Sequence, residues 1–400
     1  MKKLVCFTLV ILLAVSCIGC NSIIAYRVPD PMKYPDYTFE TAPDTMQLRQ
    51  MAVQAMRDLL TIQWHTETEI TYRKTGPVSG KQFLHEPEKT YGGMFYSGAS
   101  TGIFQFLEYY DEETGCLRFP GNSNDLKSSL GSSCADTLLW AWSTVCNSFT
   151  GGYYPIMMVP KNGYCIVGDY KLKEDIKSFY EYPSYTVIQE NGKDVMLDAL
   201  SKMLPADALV SNSDNHAMMV IEAPTVVYLE DGSIDGANSF VRIQDQRAGG
   251  ETFYEHKMDG HTVYLSGRID ATYTFDKLLE EDYIPVTTQE FLGLKDYKKA
   301  EVTVDTKEPD TWEDLLNTQI ISNYPLAVIN TYLVEADGKR VSLDTKLFGG
   351  YSDKGVPFSC KISEIETLSR LDQSLCDGCK LEFEVVVSTG ERFSPIAFTF

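Results

Sequence analysis

The sequence predicts an α+β protein with two folded parts, and three observations lead to this prediction. One apolar helix precedes a series of short strand-like segments, the order expected of a helix packed on an antiparallel sheet. From about residue 300 the chain consists of short apolar segments separated by Gly-containing turns, a pattern typical of a β-sandwich. The length of 400 residues also exceeds what one hydrophobic core usually serves.

Residues 1–20 have the composition of an export signal. Two lysines follow the first methionine, residues 4–15 are apolar, and small residues come next. The apolar run is too short for a comfortable membrane span. It ends in Cys17-Ile-Gly-Cys20, which resembles a bacterial lipoprotein signal, whose cleaved chain begins with a lipid-modified cysteine. We expect lipidation at Cys20; the alternatives are a junction at Cys17 and an ordinary secretory signal.

The rest of the chain divides into four expected segments. Residues 21–45 are rich in Pro, Tyr and Asp and show little periodicity, which indicates a tether. Apolar side chains recur at helical spacing over residues 46–60. Residues 46–84 are therefore expected to form a helical lead-in that packs on the next domain. That domain should span residues 85–290, and an immunoglobulin-like β-sandwich should span residues 300–400.

Further elements are expected within these two domains. Helices are predicted at residues 193–203 and 273–281. Strands are predicted at residues 153–159, 208–210, 217–221, 226–229, 240–243, 301–305, 326–334, 360–362 and 381–387.

The charge balance excludes one class of partner. A net charge of -21 and a sequence pI near 4.7 argue against nucleic-acid binding, which needs clustered Lys and Arg. The acidity suits a soluble domain outside the cell. We expect the exported chain to contact the membrane only through its lipid anchor, on the side that faces the cell wall. The C-terminal part has no histidine, so we interpret it as a spacer or as a module that binds a protein partner.

The cysteine and histidine positions predict neither a metal nor a cofactor. His256 and His261 do not have metal-ligand spacing. Cys376-Asp-Gly-Cys379 has no second cysteine pair at zinc-site spacing, and in an exported chain it indicates a local disulfide, or pairing with Cys360. After cleavage before Cys20 an odd number of cysteines remains, so at least one thiol is expected to stay unpaired.

Residues 131–142 place a cysteine in the first turn of an apolar helix. Ser133 can cap this helix and Asp136 can complete a capping box. A helix N-terminus and a nearby imidazole favour the thiolate, and His216 opens an apolar strand further along the chain. The combination predicts Cys134 as a nucleophile and His216 as its base. The alternative is that Cys134 is a small core residue and His216 an ordinary histidine.

The segments around these residues resemble the NlpC-like cell-wall cysteine peptidases, within the papain-like group. Phe95-Tyr-Ser-Gly98 is similar to the Tyr-x-x-Gly segment that comes first in that family, and Ser132-Ser-Cys-Ala135 is similar to its nucleophile segment. Pro205-Ala-Asp-Ala-Leu-Val210, followed by His216-Ala-Met-Met-Val220, is similar to its histidine region. Order and spacing agree over about 150–200 residues of the chain.

The chain also departs from the family pattern. Ser133-Cys-Ala135 replaces the usual Asp-Cys-Ser, and Ala206 stands where the family has Gly. The interval between Tyr96 and Cys134 is longer than in the family. These departures make the assignment of the tyrosine less specific than the pairing of cysteine with histidine.

The resemblance implies amide hydrolysis through a thioester, with peptidoglycan peptides as substrates. It implies that the Cys134 N–H and the Tyr96 hydroxyl stabilise the oxyanion and that a polar residue orients His216. Strand alternation places Asp245 on the face of its apolar neighbours, whereas a bulge would bring Gln246 or Gln244 there instead. The alternative function is that of an inactive relative that binds a partner at the cell surface.

Overall fold

A computed structural model gives the fold. It describes residues 35–73, 82–97, 100–118, 130–148, 154–247, 253–349, 357–371, 376 and 378–399. The expected export signal, both lipidation candidates and most of the tether lie outside the described residues, as does Gly98. Among the residues that are described, no helix has the length and apolar character needed to cross a membrane.

The structure is a mixed α+β fold. Its α-helices are α1 (Thr45–Thr61), α2 (Ile103–Leu107), α3 (Cys134–Trp142), α4 (Ser184–Asn191), α5 (Lys193–Ser201), α6 (Phe275–Glu280) and α7 (Trp312–Asn317). Its strands are β1 (Gln63–Trp64), β2 (Ile70–Arg73), β3 (Gln82–His85), β4 (Thr90–Gly92), β5 (Tyr110–Asp111), β6 (Cys116–Leu117), β7 (Tyr164–Ile166), β8 (Ala208–Ser211), β9 (His216–Val220), β10 (Phe240–Gln246), β11 (Tyr254–Met258), β12 (His261–Leu265), β13 (Gly267–Thr274), β14 (Tyr283–Thr288), β15 (Val302–Val304), β16 (Gln319–Ser322), β17 (Leu326–Val334), β18 (Arg340–Leu347), β19 (Ser359–Lys361), β20 (Lys380–Val387), β21 (Arg392–Phe393) and β22 (Ala397–Thr399).

The first helix follows its local sequence signals. Asp44 caps α1 by accepting a hydrogen bond from the Gln47 N–H at 2.8 Å, and the Gln47 side chain accepts from the Asp44 N–H at 2.9 Å. The apolar stripe that predicted this helix is buried, and it packs against α3 and the central sheet. The prediction of a helix over residues 46–60 is confirmed.

The central sheet is antiparallel, with the strand order β13-β10-β9-β8-β14-β7. Helix α3 packs on β9 and β10, so its apolar residues share one core with the sheet. A second sheet has the order β1-β4-β12-β11, and β12 runs parallel to β4. A helix packed on an antiparallel sheet is the α+β arrangement that the sequence predicts.

The C-terminal part contains two antiparallel sheets. One has the order β15-β16-β19, and the other has the order β18-β17-β20-β21 with β22 also paired to β20. A separate cluster of buried apolar side chains, including Ile320, Ile329 and Phe383, holds this part together. The predicted strands at 301–305, 326–334, 360–362 and 381–387 all lie on observed strands, with ends shifted by at most one residue.

The C-terminal part also contacts the end of α3. The Ser388 hydroxyl donates to the Ser143 carbonyl at 2.6 Å. The Tyr324 hydroxyl donates to the Lys298 carbonyl at 2.8 Å and lies 3.5 Å from the Val145 carbonyl. Strand β17 packs on α2. The C-terminal part is therefore in contact with the residues just beyond α3 and with α2.

Three predicted elements are wrong or displaced. In the part of residues 153–159 that is described, the chain forms a 3₁₀ turn at Pro155–Met157, because proline favours a turn and cannot donate to a strand ladder. Residues 226–229 make only isolated bridge pairs in an exposed loop. The helix predicted at 273–281 starts at Phe275, because Thr274 still pairs in β13 and caps the helix.

The expected disulfides are not formed. None of the cysteines that the structure describes is in a disulfide. The Cys360 thiol points to the Lys361 carbonyl at 3.4 Å instead of to another sulfur. Cys376 and Cys379 are joined through their backbones, with the Cys379 N–H donating to the Cys376 carbonyl at 2.9 Å in a tight turn.

Candidate active site

Cys134 is the first residue of α3. The capping box predicted around it is present: the Ser133 hydroxyl accepts from the Asp136 N–H at 3.3 Å and donates to the Asp136 carboxylate at 2.5 Å. The cap leaves the N–H groups of Cys134 and Ala135 without an acceptor inside the helix, as at any helix start. These N–H groups and the helix dipole favour negative charge next to the Cys134 sulfur.

His216 is the first residue of β9, and it follows a tight turn. Asn215, with φ 45, is in the left-handed region, and its carbonyl lies 3.9 Å from the Cys134 sulfur. The Nε2 atom of His216 lies 2.5 Å from Oδ2 of Asp245. Cys134 lies close enough to His216 to raise the pKa of this imidazole. Because Nε2 faces Asp245, Nδ1 is the nitrogen that is left for the thiol.

Asp245 completes a line of three side chains. It lies on β10, its side chain is fully buried, and it meets His216 from the face of β10 that also carries the buried Val241 and Ile243. Arg268, on the neighbouring strand β13, donates to both Asp245 oxygens, from Nε at 2.9 Å and from a terminal nitrogen at 2.5 Å. The carboxylate is therefore held between an imidazole and a guanidinium.

The electrostatics of this group favour an ion pair. Burial alone would lower the pKa of His216, but the charge on Cys134 and the hydrogen bonds to Asp245 and Cys134 outweigh it and raise this pKa from 6.5 to about 9. Burial alone would raise the pKa of Asp245, but hydrogen bonds from Arg268 and His216 lower it from 3.8 to about 2. At neutral pH, His216 is a cation and Asp245 is an anion.

One more carboxyl lies close to the nucleophile. Burial raises the pKa of Asp136 to about 6, although hydrogen bonds from Ser133 and Ser100 oppose this shift. The Asp136 carboxylate is the partner of the capping Ser133 hydroxyl. Protonation of Asp136 near pH 6 therefore changes the charge in the first turn of α3.

Of the three polar residues on β10 that we considered for His216, only Asp245 contacts it. Gln246 donates to the Met94 carbonyl at 2.8 Å, and Gln244 donates to the Val53 carbonyl at 2.9 Å, so neither lies against His216 as the bulge alternative required. The sheet does contain an irregularity, because Ile243 pairs with Ala271 and Asp245 pairs with Arg268. The extra residue is thus on β13, and β10 keeps its alternation.

Tyr96 lies next to the nucleophile segment through its backbone. It forms a bridge pair with Ser132, two residues before Cys134, and the neighbouring Ser97 N–H donates to the Ser132 carbonyl at 3.1 Å. The Tyr-x-x-Gly segment and the nucleophile segment are therefore adjacent, as far as the described residues show. The role of the Tyr96 hydroxyl at the oxyanion stays a prediction.

Cys134 is almost completely buried. Only 3% of its surface is exposed, although a nucleophile must be reached by its substrate. The free Cys146 in the next turn beyond α3 is fully buried and lies against the Thr288 hydroxyl at 3.4 Å. Exposure therefore hardly distinguishes the two thiols, whereas the His216 contact does.

Sequence reasoning missed Arg268. No strand was predicted at 267–274, so nothing indicated which residue pairs with Asp245. A prediction of the β10–β13 pairing would have been needed, and such long-range register is not encoded in a local pattern. Within the described parts of the chain, no group of three or more His, Cys, Asp or Glu side chains could hold a metal ion.

Comparison with known proteins identifies no relative of this chain. No family model matches the chain, and no curated protein and no solved structure matches it either. The chemistry of the site must therefore be inferred from its geometry. A thiolate beside a protonated imidazole that is itself held by a buried carboxylate can attack a carbonyl carbon.

Proposed function

We propose that the protein is a cysteine hydrolase that cleaves amide bonds with Cys134, His216 and Asp245. The observation that carries this proposal is the placement of His216, whose Nε2 lies 2.5 Å from the buried Asp245 carboxylate and whose pKa is raised by the nearby Cys134. A structural histidine does not need two such partners. The combination of nucleophile, base and orienting carboxylate is what covalent acyl transfer needs.

The proposed reaction has two steps. In the first, the Cys134 thiolate bonds to the amide carbonyl carbon, His216 gives its proton to the leaving nitrogen, and the C–N bond breaks to leave a thioester. In the second, His216 takes a proton from water, the resulting hydroxide bonds to the thioester carbonyl, and the C–S bond breaks. The Cys134 N–H, in the first turn of α3, would donate to the oxyanion, with Tyr96 as a proposed second donor.

We further propose peptidoglycan peptides as the substrates and the cell-wall face of the membrane as the location. The support for both is the resemblance to NlpC-like peptidases and the lipoprotein-like sequence of residues 1–20. The same resemblance supports a papain-like fold for the central part. The two antiparallel sheets after residue 300 support an immunoglobulin-like sandwich for the C-terminal part.

A second function is favoured by one observation. Cys134 is 3% exposed, a small opening for a substrate. An inactive relative that binds a partner at the cell surface would tolerate a closed site. In that case the His216 contact would be a remnant that stabilises the fold, and the exposed surface would carry the function.

The experiment compares cleavage of purified muropeptides by residues 21–400, with Cys20 replaced by Ser, and by the same chain with Cys134→Ala. Cys146→Ala is the matched control, because it removes another buried thiol near the same helix without contacting His216. We expect new peptide termini, identified by mass spectrometry, from the parent and from the control only. If all three chains leave the muropeptides intact and iodoacetamide does not modify Cys134, the binding function is the better one.

A further inference from the structure

We propose that Arg268 is a positioning residue that keeps Asp245 oriented toward His216 and makes the reactive thiolate state of the site electrically neutral. This inference rests on the proposed function, because it concerns the same three side chains. Arg268 is a fourth side chain of the site. It contacts neither Cys134 nor, in the proposed reaction, the substrate. Arg268 acts through the carboxylate alone.

The contacts of Arg268 fix its geometry. Its Nε atom and one terminal nitrogen donate to the two oxygens of Asp245, which is the bidentate arrangement that arginine favours with carboxylates. Its other terminal nitrogen donates to the Tyr273 hydroxyl at 2.8 Å, and the guanidinium lies 5.3 Å from the centre of the Tyr273 ring. The side chain is 18% exposed, so solvent competes little for these bonds.

The irregular register of the sheet places Arg268 opposite Asp245. Ile243 pairs with Ala271, and two residues later Asp245 pairs with Arg268, so β13 contains one residue more than β10 over this interval. Bulges of this kind often re-aim a side chain. Without the extra residue, Arg268 would lie one position further along and its side chain would leave the face of Asp245.

Charge balance gives Arg268 its function. The reactive state holds a thiolate at Cys134, an imidazolium at His216, a carboxylate at Asp245 and a guanidinium at Arg268. These four charges sum to zero, and two further charges near the site, the Asp136 carboxylate in the first turn of α3 and the Arg247 guanidinium that interacts with Asp245, are of opposite sign and cancel. Without Arg268 the same state would carry one uncompensated negative charge in a buried site, which is costly. The site would then take up a proton, and the fraction of thiolate at neutral pH would fall.

The test measures the rate of Cys134 alkylation by iodoacetamide against pH, because this rate follows the thiolate and does not need a substrate. Arg268→Gln should move the midpoint of the profile upward, because the site loses a positive charge that acts on Cys134 through Asp245 and His216. Arg268→Lys keeps the charge but loses the two-pronged bond, so its midpoint should lie between those of the parent and the Gln variant.

Arg242→Gln is the matched control. Arg242 also makes a two-pronged pair with a carboxylate on β13, that of Asp270, but on the opposite face of the same sheet from Asp245 and with 37% exposure. Its profile should coincide with that of the parent. A folded Arg268→Gln protein whose profile equals that of Arg242→Gln would overturn the inference. If Arg268→Gln does not fold, Arg268→Met, which also removes the charge, takes its place, and a folded Arg268→Met protein whose profile equals that of the parent would overturn the inference equally.

These outcomes are separate from the fate of the proposed function. The pH profile of Cys134 alkylation could depend on Arg268 while no muropeptide is cleaved. In that case the electrostatic role of Arg268 stands and the proposed substrate is wrong. If muropeptides are cleaved, Arg268→Gln should lower kcat in its acid limb and leave KM almost unchanged. A merely structural role would reduce the folded fraction without moving the pH profile.

Discussion

Replacing Asp245 by Asn tests the ion pair at the centre of the site. The substitution keeps the shape of the side chain and removes its charge. His216 then loses its anionic partner, and Arg268 is left largely buried without one. Breaking a buried pair in this way costs about 3–5 kcal/mol. We therefore expect the free energy of unfolding at pH 6 to fall by about that amount.

The pH dependence of this loss follows from the pKa shifts. The pKa of His216 is raised from 6.5 to about 9, so its stabilisation is complete below pH 6.5 and disappears as the pH rises through 9. The pKa of Asp245 is lowered from 3.8 to about 2, so its stabilisation is present above pH 3.8 and disappears as the pH falls through 2. Both contributions are complete only between pH 3.8 and pH 6.5.

The size of the pH-dependent part is bounded by the shift of His216. A shift of about 2.5 units corresponds to about 3 kcal/mol, and Asp245 shares it with Cys134. The difference between parent and Asp245→Asn should therefore be about 1–3 kcal/mol smaller at pH 9.5 than at pH 6. It should not vanish, because Arg268 remains positively charged and unpaired at both pH values.

The assay is urea unfolding followed by tryptophan fluorescence at the two pH values. Asp270→Asn is the control, because Asp270 pairs with Arg242 at 42% exposure, and its loss should cost less than about 1 kcal/mol at either pH. A stability loss in Asp245→Asn that is the same at pH 6 and pH 9.5 would show that Asp245 does not raise the pKa of His216. A loss no larger than that of Asp270→Asn would refute the buried pair itself.

Three further changes test the scaffold of the site. Ala206→Gly should raise the melting temperature, with a gain of about 1 kcal/mol, because Ala206 has φ 70 in the region that favours glycine. Arg49→Met should cost about 3–5 kcal/mol in urea, because it leaves the 1% exposed Asp207 unpaired, and adding Asp207→Leu should recover most of this loss. Ser388→Ala should lower the free energy of unfolding by about 1–3 kcal/mol, since the buried Ser143 carbonyl loses its donor; an unchanged urea midpoint would contradict this.

The parts of the site that the sequence predicted are those set by short-range patterns. The capping box depends on residues three apart, so Ser133 and Asp136 could be recognised directly. Asp245 followed from simple alternation along β10, which the structure keeps because the extra residue lies on β13. Ala206 has φ 70, in the left-handed region that favours glycine, and no local pattern in the sequence indicates this conformation.

The features of the fold and site that the sequence did not predict depend on contacts between distant segments of the chain. Arg268 reaches Asp245 only through the register of two strands joined by a long connection. The apolar composition of residues 153–159 predicts a strand. Pro155 cannot donate to a strand ladder, and the chain forms a 3₁₀ turn at Pro155–Met157 instead. The 3% exposure of Cys134 results from the packing of the whole molecule, and no local pattern reports it.

The helix that carries Cys134 is held at both of its ends. At the start of α3, Ser133 and Asp136 fix the first turn, and just beyond its end the Ser143 carbonyl accepts from Ser388 of the C-terminal part. The C-terminal part also reaches the rest of the core through β17, which packs on α2. Composition alone did not indicate these contacts, because they join segments more than 200 residues apart in the chain.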